Sequence, residues 1–319
     1  DNPRTDCECR LAMIWKKVLA SNQIGIHDNF FEIGGHSINA VLLMNYIQQE
    51  FQIQIPLSQI FESPTIESMS QSIDDIQKYQ TKYAKNSPSL LNRKTEKNVF
   101  CLPPLLGYGF AYQRLASKIN THSFYAFDFT ITDNPISTYT DWIHTQQPEG
   151  NLILLGYSAG GNIVFEIAKE LESRNRNVSD VILMDAMRIE KPRLISEIEI
   201  KKVIRENLTY FASYLLQEQD LKMFIQNEFV KKQMENTMQE YLHFLNTTIN
   251  EGKIKSIIHL IKSESIEENQ DPHLGWVEST TNQFHFHQGY GKHGDMMSEG
   301  FVERNATIIC DILNSLKHC

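Results

Sequence analysis

Residues 151–171, NLILLGYSAGGNIVFEIAKEL, constrain this chain more than any other stretch. An apolar run ends at Gly156, Ser158 lies midway between Gly156 and Gly160, and a helical stripe of Ile163, Val164, Ile167, Ala168 and Leu171 follows. A G-x-S-x-G turn between a strand and a helix is so tight that small residues must flank the serine. The helix start then aims its amide dipoles at the space in front of the hydroxyl. Strand, turn and helix in this order demand a sheet with a helix laid against it. They also make Ser158 a candidate nucleophile rather than a structural turn serine.

The same rhythm runs from Asn98 onward. NVFCL, HSFYAF, NLILLG, DVILMD, SIIHLI and QFHFH are short apolar runs separated by helical stretches, which predicts a mostly parallel sheet wound with helices. Residues 192–250 interrupt the alternation with charged, helical sequence. Its stripe of Met234, Met238, Tyr241, Leu242, Leu245 and Ile249 suits a lid over a site, or equally extra helices covering the core. The first 80 residues read differently, as a compact bundle of about four helices. Leu11, Ile14, Trp15, Val18 and Leu19 make one helical face, and a helix follows from about Ser37 to Gln49, with Ser37 as its expected N-cap. PLSQIF gives a short helix and SPTIESMSQSIDDI a last one, with Ser63, Pro64 and Thr65 as start signals. Between the two patterns, residues 79–97 are polar and without sustained periodicity, as in a linker that lets two units move.

Composition excludes several classes. With 319 residues, 41% of them hydrophobic and 22% charged, the chain is neither disordered nor fibrous, and two domains are expected. No basic block marks a nucleic-acid partner in a chain of net charge −9. Residues 1–80 hold ten acids against five basic side chains, a surface that suits basic partners or simply solvent. No apolar run is long enough for a membrane span, and no signal peptide opens the sequence. The five cysteines are scattered and lack zinc spacing, which fits a reducing cytoplasm and no metal site. A start at Asp1 rather than Met is expected of a piece cut from a longer polypeptide.

A nucleophilic serine needs a base, and the base an orienting acid. Asp185 ends the strand DVILMD, at the carboxyl edge where open sheets bind ligands. Glu264 and Asp271, after SIIHLIKSE, compete for the role. The base belongs in the loop after the last strand, which leaves His285, His287 and His293 of eleven histidines. His285 and His287 alternate within QFHFHQ as strand histidines, and His293 in the glycine-rich GYGKHGDMM is the best placed. Two backbone amides must serve a developing oxyanion. Ala159 supplies one. In LPPLLGYGF, Pro103 and Pro104 have no N–H, so Leu105 is the first donor available.

With DNFFEIGGHS and IFESPTI in the first 80 residues, and LPPLLGYG, GYSAGG, DVILMDA and GKHGDMM after them, the sequence resembles the terminal carrier–thioesterase pair of a nonribosomal peptide synthetase. The resemblance implies a small four-helix carrier bundle over residues 5–78, a linker over 79–97, and an α/β-hydrolase thioesterase over 98–319 with a helical lid at about 192–250. It implies 4′-phosphopantetheine attached covalently to Ser37 by a phosphopantetheinyl transferase. Ser158, Asp185 and His293 become the triad, Leu105 and Ala159 the oxyanion amides, and Asp185 is preferred to Glu264 and Asp271. The expected partners are upstream condensation and adenylation domains and a peptidyl thioester. In this family a proline beside the oxyanion residue, here Pro104, tends to accompany macrocyclisation over hydrolysis. An ordinary serine esterase would leave GGHS without a purpose, and a non-catalytic docking module would leave the triad without one. Condensation-type release lacks its adjacent histidines.

Overall fold

The computed structural model describes residues 1–35, 37–51, 53, 55, 59–60, 63–78, 88–192, 195–215, 228–264 and 271–315. The chain divides into two compact units, one of residues 1–89 with 215–233, the other of residues 90–214 with 234–319.

The first unit is helical, with α1 Asp6–Leu19, α2 Ser37–Phe51 and α3 Ile66–Lys78. Thr5 caps α1 by accepting from the Glu8 amide, and the Glu8 side chain reaches back in a capping box. The helix buries Leu11, Ala12, Ile14, Trp15 and Val18, as its periodicity predicts. Trp15 meets Phe30 edge-on at 4.9 Å, which ties the loop DNFFEIGG to the bundle. Both glycines of that loop have a reason. Gly34 takes a φ of +103°, and a side chain on Gly35 would collide with the carbonyl and ring of Phe30. Ser37 is the first residue of α2 rather than its cap. The short helix expected over PLSQIF lies mostly outside the described residues, of which Gln59 and Ile60 are helical.

The second unit carries a seven-stranded sheet of order β1-β3-β2-β4-β5-β6-β7. The strands are β1 Ser89–Leu90, β2 Asn98–Leu102, β3 Ser123–Ala126, β4 Leu152–Tyr157, β5 Val178–Met184, β6 Ile257–Lys262 and β7 Phe284–Gln288. From β2 to β7 all pairings are parallel. Its helices are α4 Gln113–Ala116, α5 Pro135–Gln146, α6 Ala159–Ser173, α7 Glu197–Leu215, α8 Glu228–Thr247 and α9 Val302–Ser315. The central strands read as unbroken apolar runs because both faces are covered. Phe100, Leu154, Val181 and Leu260 pack toward α6, while Cys101, Leu155, Ile182 and Ile261 pack with Val302, Ile309 and Leu313 of α9.

The structure bears on two expectations here. Part of the segment read as linker belongs to the sheet unit: Asn92 donates to the carbonyls of Ala116, Ile119 and His122 and accepts from the Phe124 amide. Polar composition conceals such long-range bonding, and residues 79–87 of that segment lie outside the described residues. In the 192–250 insertion, 193–194 and 216–227 also lie outside them. On α8, Met234, Met238, Tyr241, Leu242 and Leu245 are all buried, and Tyr241 and Leu245 join the core of the sheet unit. Among the described residues no helix is long and apolar enough to cross a membrane.

Candidate active site

Ser158 joins β4 to α6 with φ 53° and ψ −125°, a backbone conformation that costs a non-glycine residue energy and holds the side chain proud of the turn. The glycines around it are required sterically. A Cβ on Gly156 would lie 2.5 Å from the Gly160 backbone, one on Gly160 would lie 2.5 Å from the Leu102 carbonyl oxygen, and one on Gly161 would strike Ala186. The elbow therefore packs directly against the loop after β2.

That loop is pinned one carbonyl at a time. The Tyr112 hydroxyl donates to Leu102 O at 2.6 Å, the Tyr241 hydroxyl to Pro103 O at 2.7 Å, and the Gly107 amide to Pro104 O at 2.8 Å. Tyr241 comes from α8 and stacks on Phe129 with centroids 4.2 Å apart. Helix α8 is thus a fixed brace for the loop that carries Leu105. Among the described residues, the amides of Leu105 and Ala159 donate to no protein acceptor, and both residues line the cleft over Ser158.

Asp185, immediately after β5, also has a positive φ, of 44°. Its Oδ2 lies 2.7 Å from Nδ1 of His293, whose Nε2 lies 3.0 Å from Ser158 Oγ. Its Oδ1 accepts the Ser263 amide at 2.9 Å. Burial opposes ionisation of Asp185, but the bonds from His293 and Ser263 outweigh it and hold the carboxyl below the usual carboxylate range. The loop bearing His293 is clamped by the fully buried Asn305, which bonds Tyr290 N and O and Met296 O. The Tyr157 hydroxyl donates to the His293 carbonyl.

The competing residues have other employment. Asp271 accepts from the His273 and Gly275 amides in a turn, and Glu264 is exposed. His287 lies 3.2 Å from His259, which bridges it to the buried Asp180, and burial with the neighbouring His259 and His285 holds His287 below the usual imidazole range. Among the described residues no cluster of three or more His, Cys, Asp or Glu could hold a metal ion.

The cleft above Ser158 has a volume of about 350 Å³. Leu105, Met187, Ile189 and Leu274 line it from the sheet unit's loops, and Ile195, Val203, Leu242 and Leu245 from the insertion. Ser263, Tyr157, Asn305 and Asn162 escaped sequence reasoning. No local spacing links Ser263 to an acid 78 residues earlier, or Asn305 to a loop it merely encloses.

Asp128 offers a test of the brace. Its Oδ1 accepts the Gly109 amide at 2.8 Å, and burial pushes its carboxyl up to about 6 from 3.8. A raised carboxyl stabilises the fold below its unfolded value, and that contribution is lost as pH rises through about 6. Asp128→Asn keeps an acceptor and removes the charge. It is expected to raise the unfolding free energy by up to about 3 kcal/mol at pH 7–8 and by nothing below about pH 4, read by denaturant unfolding.

The thioesterase domain family model matches residues 97–314. The chain belongs to the thioesterase domain family. The phosphopantetheine attachment site model matches residues 9–73 of the same chain. Tyrocidine synthase 3 of Brevibacillus parabrevis is 36% identical over 323 residues, covering 98% of this chain and 5% of that protein. Surfactin synthase subunit 3 of Bacillus subtilis (strain 168) is 32% identical over 320 residues, covering 98% of this chain and 24% of that protein. The thioesterase chain thus spans a small part of the curated relatives it matches. Among solved structures, the thioesterase domain SrfTE, described for the cyclization of the lipopeptide antibiotic surfactin, has a TM-score of 0.61 and 29% identity. That match covers 69% of this chain and 92% of SrfTE. An attachment-site domain followed by a thioesterase domain, matched almost throughout by peptide synthases, makes this a carrier–thioesterase pair of the nonribosomal peptide synthetase type. The second unit has the α/β-hydrolase fold.

Proposed function

We propose that this chain ends the assembly of a nonribosomal peptide by moving the peptidyl group from the carrier to Ser158 and then closing it into a macrocycle. The observation that carries the reading is the unbroken Ser158–His293–Asp185 chain of 3.0 and 2.7 Å contacts, set beside the amides of Leu105 and Ala159.

Ser37 is the residue that would hold 4′-phosphopantetheine. It heads a 15-residue helix with no acidic residue in its first turn, so the positive end of the helix is left for a phosphodiester. A Cβ on Gly34, three residues before Ser37, would meet nothing within 4 Å. When bound there, the group supplies a thiol that presents the peptide as a thioester. A phosphopantetheinyl transferase would attach it, and upstream condensation and adenylation domains would supply the peptide.

In the first half-reaction His293 Nε2 takes the Ser158 proton as Oγ attacks the thioester carbonyl. Asp185 steadies the imidazolium, and the Leu105 and Ala159 amides hold the oxyanion. The carbon–sulfur bond breaks and His293 returns the proton to the departing thiolate, leaving an ester on Ser158. In the second half, His293 takes a proton from an amine or hydroxyl of the same chain as that group attacks the ester. The proton then passes to Ser158 Oγ as the ester bond breaks. Aliphatic walls from both the insertion and the sheet unit's loops support ring closure, since they limit water and hold the chain folded. Pro104 beside Leu105 points the same way. The second reading, release of a linear acid by water, is favoured by one feature: the His293 side chain is 52% exposed.

A serine-directed fluorophosphonate is expected to label the protein at Ser158, and to label Ser158→Ala not at all, as read by intact-protein mass spectrometry. Labelling that persists in the variant would place the activated serine elsewhere.

A further inference from the structure

The cleft is lined by aliphatic side chains, by the three mutually bonded residues Ser158, Asp185 and His293, by Ser263, whose amide serves Asp185, and by Lys262 at the end of β6. Asn162 is the exception. It lies four residues after Ser158, in the first turn of α6, and lines the same cleft. Only 5% of it is exposed, and its Oδ1 is buried with no hydrogen-bond partner among the described residues. Its main chain is held firmly, because the Asn250 side chain donates to the Asn162 carbonyl at 3.1 Å. A buried amide without a partner lowers stability where an aliphatic residue would not, and a chain bound in the cleft that Asn162 lines can supply that partner.

We propose that Asn162 is a specificity residue that hydrogen-bonds the amide of the acyl chain nearest the ester on Ser158. This rests on the release reading above and narrows its substrate to acyl groups whose first residue is joined by an amide. In an acyl-enzyme the nitrogen of that residue lies two bonds from the ester carbonyl, hence within a helical turn of Ser158 Oγ. The carboxamide carries both an acceptor and donors, and a half-turn about its last bond exchanges them, so it serves the N–H of one amide or the C=O of the next. An aliphatic acyl chain entering the same cleft leaves Asn162 unpaired. A site built around a polar group rejects the analogue lacking the matching one far better than an apolar wall can.

The test uses the full chain and two pantetheine thioesters of matched length, one N-acyl-dipeptidyl and one plain aliphatic, with Asn162→Leu and Asn162→Ala compared with wild type. The ratio of kcat/KM, peptidyl over aliphatic, is expected to fall about tenfold in both variants, the value of one lost hydrogen bond. The melting temperature of Asn162→Leu should be no lower than that of wild type, which separates lost recognition from lost folding. An unchanged ratio overturns the proposal, whether both substrates slow together or neither does. If wild type forms no ester at Ser158 with either thioester, the release reading fails and takes this inference with it. The two failures are therefore distinct.

Discussion

Ser158→Ala is expected to abolish release of a peptidyl thioester, with kcat reduced at least about 10⁴-fold. In the proposed mechanism Ser158, His293 and Asp185 work as a unit, because His293 has no proton to take and the carbonyl no nucleophile to meet once Oγ is gone. The backbone should hold, since the strained turn is set by Gly156, Gly160 and their close approach to the β2 loop, not by the hydroxyl. A small panel of peptidyl groups offered to the protein, with products read by mass spectrometry, makes the measurement. A product lighter by one water than the linear acid, absent with the variant, establishes ring closure. Linear acid alone favours hydrolysis, for which the exposure of His293 leaves a path. Release that survives in the variant would show that another residue carries the peptide.

Ser37→Ala has the second large effect: complete loss of covalent loading by a promiscuous phosphopantetheinyl transferase with coenzyme A. The reason is positional. Ser37 is the hydroxyl residue at the head of α2, behind a glycine pair whose conformation no other residue matches without strain or collision. Intact mass before and after the transferase reads the outcome, and a free peptidyl thioester reports on the Ser158 site separately. If the variant still gains the group, attachment lies elsewhere. If wild type gains nothing, the carrier assignment fails and a simple esterase becomes the better account of the second unit.

Much of this could be read along the chain because its causes are local. A strand, two glycines around a serine and a helix admit one turn, so the GYSAGG segment announced both the sheet and the elbow that holds Ser158. Periodicity likewise disclosed α1, with Leu11, Ile14, Trp15 and Val18 on its buried face. Position after a strand pointed to Asp185 and His293, though reading the residues alone left Glu264 and Asp271 in contention. The family resemblance prefers Asp185, and the fold separates the three by their contacts. Asp271 is occupied by two amides of its own turn, and Asp185 meets both His293 and the Ser263 amide.

The tertiary structure also decided what the insertion does at its second helix. A stripe of Met, Tyr and Leu fits a lid and a core helix equally, because periodicity records which face is apolar and not what it covers. The stacking of Tyr241 on Phe129, and its bond to Pro103, place α8 as a brace for the loop that carries Leu105. Asn305 and Asn162 lie beyond sequence reasoning for the same cause. Their meaning is in which backbone groups come near them, or fail to, across long stretches of chain. By itself, then, the sequence determined the local elements and the kinds of side chain available to the site. The three-dimensional packing decided which of them meet, because hydrogen bonds and desolvation depend on distances in space that spacing along the chain does not encode.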